Sequence, residues 1–206
     1  MASHATEDGG IPPREATRRE LGLRPGERLV LAASDLHTVV VRPRFIWGVG
    51  DTTLLPQLVS AVRAGRWRWI AGGRYLTSTC HVDNAVEGTL LAAERGRKGE
   101  AYFLTDGAPV EFRGFVSELL STQGIDAGDA SMPRALARAL AASCEALARA
   151  RGYRWRPPVT RAALKLMGEE VTVLDLKART ELGYTAATRP EQGLRAMRDA
   201  LESTVG

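Results

Sequence analysis

The sequence predicts an α/β chain in which short, wholly apolar strands alternate with amphipathic helices, and three observations carry that expectation. A β-branched run, Thr38, Val39, Val40 and Val41, is stopped by Arg42-Pro43 and followed by the turn Gly48-Val49-Gly50-Asp51. A strand buried on both faces of a parallel sheet runs into a loop in this way. A second apolar run, Ala101 to Thr105 (AYFLT), stops at the turn residues Asp106-Gly107. Between and after these runs, apolar residues recur at helical spacing. Parallel sheets place function where the strands end at their carboxyl side, which directs attention to the segment after Arg42.

Taken in order, residues 1–18 are polar, rich in Gly and Pro and without either period, so they read as a disordered tail ahead of one unit over residues 19–206. Glu27 to Ala33 reads as the last turns of a helix that feeds, through Ser34 and Asp35, the strand Leu36 to Arg42. Leu54, Leu55, Leu58, Val59 and Val62 make an amphipathic helix over 53–64 with Gly65 as its stop. Trp67 to Ile70 is a short strand closed by Gly72-Gly73. Asp83 or Asn84 can cap the next helix, which carries Val86, Leu90 and Ala93 on one face and ends near Gly96. Phe112, Phe115, Val116, Leu119 and Leu120 define a helix ending before Gly124. Leu136, Leu140, Cys144 and Leu147 form an apolar stripe with arginines opposite, expected to pack inward. The last helix opens with Thr188 and Glu191 at capping-box spacing and Pro190 in its first turn, with Leu194, Met197 and Leu201 facing inward.

Composition narrows the function classes. With 206 residues and 44% hydrophobic content the chain can bury a substantial core. No apolar run approaches the roughly 18 to 20 residues of a membrane span, and the first residues lack the apolar core of a secretion signal, so the expected compartment is the cytoplasm. Cys80 and Cys144 match no metal or redox spacing and are expected to be small buried side chains. No metal ligand set is visible. The formal charge of +4 comes from arginines spread along the whole chain, which argues against nucleic acid as the partner. Two clusters, Arg66-Trp67-Arg68-Trp69 and Arg151 to Arg156, keep single-strand binding as a subordinate alternative.

The order RPRFIWGVGD, HVDNAVEGTLLAA, GEAYFLTDG and KARTELGY resembles the second half of an extended short-chain dehydrogenase/reductase. Within that superfamily it is most similar to the 3-beta-hydroxysteroid dehydrogenase and NAD-dependent epimerase/dehydratase branch. The resemblance spans residues 27–200 and rests on four short motifs in the right sequence. It implies a partial Rossmann-type parallel sheet, of which the last strands are present, joined to a small, mostly helical substrate domain. It implies NAD or NADP as the family's cofactor, with Pro43, Arg44, Phe45 and Ile46 beside the nicotinamide. Trp47, Arg74, Thr77 and Thr79 fall on the substrate side. Where nucleotide-sugar members carry a phosphate-binding arginine, Thr77 stands here, which favours an apolar or sterol-like small molecule. His81 and Asp83 are implied to shape the join between domains, and a homo-oligomer is compatible with the family.

Two parts of the family's machinery do not occur in these residues. Its tyrosine general acid/base needs a lysine four residues later to lower its pKa. Tyr75, Tyr102, Tyr153 and Tyr184 are followed at that spacing by Thr79, Asp106, Pro157 and Thr188. No GxGxxG or GxxGxxG spacing supplies a phosphate turn either. The sequence therefore reads as the carboxyl-terminal portion of such an oxidoreductase, starting just before the sixth strand of its sheet. On this reading it has no catalytic residue, does not bind the dinucleotide tightly and is inactive as an isolated chain. A non-catalytic ligand-binding or interaction module is the first alternative.

Overall fold

The structure, a computed structural model, describes residues 25–33, 35–150, 152, 164 and 167–205. The expected tail over residues 1–18 and the Arg151 to Arg156 cluster, Gly152 excepted, lie outside them. Helix α1 (Pro25–Ala32) leads to strand β1 (Val40–Pro43), and β2 (Ile46–Trp47) follows after one turn. Then come α2 (Leu54–Arg63), β3 (Trp69–Ile70), a short 3-10 turn (Ala71–Gly73), β4 (Leu76–Thr77), β5 (Cys80–His81), α3 (Val82–Arg95) and β6 (Ala101–Leu104). The chain continues with β7 (Val110–Glu111), α4 (Phe112–Ser121), β8 (Ser131–Met132), α5 (Arg134–Ala150), α6 (Leu176–Leu182) and α7 (Pro190–Val205).

The two apolar runs are neighbours in one parallel ladder, with Val40 opposite Ala101 and Pro43 opposite Leu104. Pro43 brings no N–H, yet the ladder runs one step further because the Arg44 N–H donates to the Leu104 carbonyl at 3.2 Å. The strand starts at Val40 rather than at Leu36. Leu36 is exposed, and His37 Nε2 donates to the Gly96 carbonyl at 2.8 Å, so the end of α3 holds this stretch. Strands β2 and β5 pair in parallel, Ile46 with Cys80 and Trp47 with His81, which lays the loop after β1 beside the start of α3.

Two cores result. One gathers Cys80, Ala85, Ala92, Tyr102, Leu104, Ala178, Leu182 and Tyr184 beneath the β1·β6 pair. The other is larger and aromatic, with Phe45, Trp47, Trp69, Tyr75, Phe112 and Phe115 among its members. Their rings meet mostly edge to face, such as Phe45 with Phe115 at 5.8 Å and Trp47 with Phe115 at 5.2 Å, the arrangement that the ring quadrupole favours.

Several local expectations are corrected. In α3 the expected face of Val86, Leu90 and Ala93 is exposed, and Asn84, Ala85, Gly88 and Ala92 are buried instead. The N-cap of α3 is His81, not Asp83 or Asn84: its Nδ1 accepts the Asp83 N–H at 3.2 Å, and Asn84 is buried and bonded elsewhere. In α5 the leucine stripe is outside, with Leu136, Leu140 and Leu147 exposed, while Ala137, Ala141 and Ala148 face inward. Ala137 lines a small cleft with Ile70 and Gly168. Cys80 is buried as expected, but Cys144 is partly exposed. The capping box of α7 begins one residue later than Thr188. Gln192 Oε1 accepts the Arg189 N–H at 3.0 Å, while the Thr188 N–H goes to Asn84 Oδ1. Leu201 stays partly exposed, unlike Leu194 and Met197. Among the described residues no helix is long and apolar enough to cross a membrane.

Candidate functional site

The site is built at the carboxyl end of the β1·β6 pair, where the loop Pro43 to Trp47 turns beside β5. Phe45 takes φ +36°, a left-handed value that a bulky residue adopts only where its surroundings enforce it. The enforcement is packing: the Phe45 ring is 8% exposed between Phe112 and Phe115. Its carbonyl accepts the Cys80 N–H at 3.3 Å.

Asp106, the residue after the β6 run, organises the floor. Its Oδ2 accepts Trp47 Nε1 and Thr79 Oγ1, both at 2.8 Å, and its Oδ1 accepts the His81 N–H at 2.6 Å and Asn84 Nδ2 at 2.7 Å. Asn84 Nδ2 also donates to the Thr188 carbonyl at 2.8 Å, so one carboxylate ties β2, β5, α3 and the approach to α7 together. Sequence reasoning missed this hub, reading Asp106 as a turn residue and Asn84 as a cap. The available signal was a run of polar residues, Ser78, Thr79, His81 and Asn84, around a buried strand.

A second carboxylate is equally committed. Asp175 receives both Nε and Nη2 of Arg179 at 2.9 Å and Thr105 Oγ1 at 2.9 Å. Tyr184 OH donates to the Thr105 carbonyl at 2.8 Å. Lys177 Nζ pairs with Glu100 Oε2 at 2.6 Å and sits over the Tyr102 ring. The KARTELGY segment is thus a clamp that locks α6 onto β6. Burial pushes the phenols of Tyr75, Tyr102 and Tyr184 upward, opposite to what a general acid/base tyrosine needs. Burial, reinforced by Asp106, pushes the Cys80 thiol up to about 12.

The candidate residues distribute unevenly. Pro43 ends β1 half-buried, and Ile46 is exposed. Trp47 and Thr79 meet on Asp106 and are buried, as is Thr77, which pairs with Val110 in the β4·β7 ladder. Arg74 is exposed after the 3-10 turn, outside this cluster. Arg44 is half-buried; desolvation lowers its pKa, and its Nε and Nη2 atoms are fully buried without a hydrogen-bond partner among the described residues. A separate open cavity of about 930 Å³ lies between the Gly48 to Asp51 turn, α2 and α7, and none of the candidate residues lines it. Among the described residues no cluster of His, Cys, Asp or Glu could hold a metal ion.

This geometry has known counterparts. A 4-hydroxy-2-methyl-3-oxo-4-farnesyl-3,4-dihydroquinoline-1-oxide ketoreductase of Stigmatella aurantiaca is 57% identical over 84% of this chain and 53% of its own length. A 2-alkyl-3-oxoalkanoate reductase of Stenotrophomonas maltophilia is 35% identical over 84% and 54%. A decarboxylating sterol-4-alpha-carboxylate 3-dehydrogenase of Dictyostelium discoideum is 30% identical over 93% and 60%. The chain therefore spans little more than half the length of these relatives. Among solved structures, a nucleoside-diphosphate-sugar epimerase from Pseudomonas aeruginosa superposes with a TM-score of 0.61 at 23% identity, over 98% of this chain and 59% of the other. The Bordetella bronchiseptica enzyme WbmF, in complex with NADH, superposes at 0.56 and 16% identity over 87% and 51%. These likenesses give the fold, a Rossmann-type α/β architecture of which this chain spans a little more than half. Residues 23–134 match the family profile itself, and the chain belongs to the 3-beta hydroxysteroid dehydrogenase/isomerase family.

Proposed function

We propose that residues 19–206 are the substrate-binding half, with the last sheet strands, of an NAD(P)-dependent oxidoreductase that exchanges a ketone and a secondary alcohol on an apolar small molecule. The carrying observation is the β1·β6 parallel pair with the Pro43 to Trp47 loop at its carboxyl end, against β5, because ligands of open α/β sheets bind at such ends. The relatives' names point to the substrate class: a 3-oxo group on a farnesylated ring, an alkylated oxo acid, and a sterol. In this reading Pro43, Arg44 and Ile46 border the nicotinamide while Phe45 anchors the loop from beneath. Trp47, Thr77 and Thr79 shape the substrate side from their buried positions, and Arg74 approaches from its rim.

The residues present suit only the nicotinamide end of a dinucleotide. Affinity for the pyrophosphate comes from a glycine-rich turn at a helix N-terminus, and the sequence has none. The chain alone therefore binds NAD or NADP weakly. Without a Tyr-x-x-x-Lys pair it also lacks proton transfer worth about a hundredfold to ten-thousandfold in rate. Calorimetric titration of the chain with both dinucleotides, followed by turnover assays on a 3-beta-hydroxysteroid and a beta-oxo acid, tests this. The same assays on a fusion carrying the amino-terminal half of the Stigmatella ketoreductase in place of residues 1–24 should gain turnover. Micromolar binding or turnover by the chain alone, or a well-folded fusion that stays inactive, would overturn the reading.

A further inference from the structure

Helix α5 buries its alanines and exposes its leucines, the reverse of the usual order. Leu136, Leu140 and Leu147 are 57%, 43% and 44% exposed, while Ala137, Ala141 and Ala148 face the chain's own core. With Ser143 the three leucines fall at steps of four, three and four residues. That is the seam of an apolar heptad, and it makes one straight strip along a helix about 25 Å long. The exposed residues along one side of the strip are Ala135, Ala139, Ala146 and Ala150, whose small side chains leave room for a second helix. The one polar group in the strip is already satisfied, since Ser143 Oγ donates to the Ala139 carbonyl at 3.0 Å. It can leave water at little cost.

The strip is self-complementary. About a two-fold axis between Ala141 and Ala142, with the helices antiparallel, Leu136 meets Leu147 of the partner subunit and Leu140 meets Ser143 of the partner subunit. Each central leucine thus faces a small residue, and large and small side chains interdigitate. Antiparallel pairing also opposes the two helix dipoles. The cations of α5 favour a protein surface over an anionic lipid one. Arg134 donates from Nε to the Gly168 carbonyl at 3.3 Å and lies over the Tyr75 ring, and Arg138 pairs with Glu169 at 2.9 Å. They are held toward the chain's own residues and do not rim the leucines, where a lipid-bound helix would use them.

We propose that the outer face of α5 is a homodimer interface, in which two copies of the chain pair their α5 helices antiparallel about an axis between Ala141 and Ala142. This assignment does not depend on the oxidoreductase reading. One helix pair buries less than the roughly 1,200 Å² at the lower bound of standard interfaces, so the association is weak, with a dissociation constant on the order of 10 µM.

Sedimentation of the full chain across the micromolar range tests this, with a monomer expected to give way to a dimer as concentration rises. Leu140→Glu should weaken the dimer at least about a hundredfold, because the two-fold axis buries the new charge twice. The melting temperature of the dilute protein should stay unchanged in that variant, since Leu140 is exposed. Orientation is read separately by crosslinking in a Cys144→Ser background, where the remaining native thiol, Cys80, is buried. Leu136→Cys combined with Leu147→Cys should give a disulfide-linked dimer on mild oxidation, and Leu136→Cys alone should not. A monomer throughout the range, a dimer that survives Leu140→Glu, a crosslink from Leu136→Cys alone, or none from the pair each overturns the assignment. Co-flotation with phosphatidylglycerol vesicles that is lost in Leu140→Glu would overturn it as well, giving the face to a lipid surface.

Discussion

The two cores solve the same problem by different means. The aromatic core closes on itself, with Trp47, Trp69, Tyr75, Phe112 and Phe115 packing ring against ring and Leu58, Val116, Leu119 and Leu120 filling between them. The core beneath β1·β6 has smaller members, and polar clamps hold its rim: Arg179 on Asp175, Lys177 on Glu100, Tyr184 on the Thr105 carbonyl. All four residues of β1 are only half-buried, whereas Tyr102 and Leu104 of β6 are fully enclosed. The contrast teaches that one region owes its stability to burial of large rings and the other to hydrogen-bonded closure. Asp106 is the joint, receiving Trp47 from the first and standing at the end of β6 in the second.

The comparison breaks most visibly at Phe112, which is 1% exposed and touches Phe45, Trp69 and Tyr75. Phe112→Ala should cost about 3–5 kcal/mol, measured by urea unfolding. A loss below about 1 kcal/mol would mean that the aromatic core is looser than its geometry. Next comes the joint: Asp106→Asn keeps the shape but turns an acceptor toward a donor and removes the charge from four bonds. A loss of about 2–3 kcal/mol is expected, and thiol labelling of Cys80 should accelerate as the sheet-side core opens with it.

Much of this was legible in the sequence, and the boundary of legibility has a physical cause. The strands Val40–Pro43 and Ala101–Leu104 and the helices around them follow from local periodicity, which each segment carries in its own residues. The outward leucines of α5 were not legible, because the face a helix buries depends on how closely its neighbour approaches. Ala137 and Ala141 are the residues that α5 buries, while Leu136 and Leu140 stay exposed. Asp106 was missed for a related reason: its four donors come from residues 22 to 59 positions away in the chain. The loop after Arg42 could be singled out as a site, but only the folded chain reveals that Arg44 Nε and Nη2 are buried without a hydrogen-bond partner among the described residues.

A smaller effect probes the tightness of the sheet-side core. A Cβ on Gly88 would stand 2.4 Å from Leu104 Cδ1, and Leu104 is fully buried. Alanine in a helix interior gains up to about 1 kcal/mol over glycine, but overpacking costs about 1–3 kcal/mol, so Gly88→Ala should destabilise. The double change Gly88→Ala with Leu104→Ala tests the contact directly. It should cost less than the sum of the single changes, because each relieves the defect left by the other.

The smallest expected effect is electrostatic and lies on the aromatic side, at the entry to α2. Asp51 accepts the Thr53, Leu54 and Leu55 N–H groups at 2.8, 2.9 and 2.9 Å, satisfying donors that a helix start leaves open. Burial pushes its carboxyl up, but the three backbone donors and the Thr53 hydroxyl outweigh it and hold the group below its ordinary value. A carboxylate depressed in the folded state contributes stability that is present above its unfolded-state value and lost as pH falls through the folded one. Glu87 behaves alike, its burial outweighed by the Thr185 and Ala187 N–H groups. Asp51→Ala should cost about 1 kcal/mol at neutral pH, and that difference from the parent should shrink as the pH is lowered below the usual carboxylate range. A difference that stays constant through acid pH would show that the Asp51 side chain acts through its shape and not through its charge.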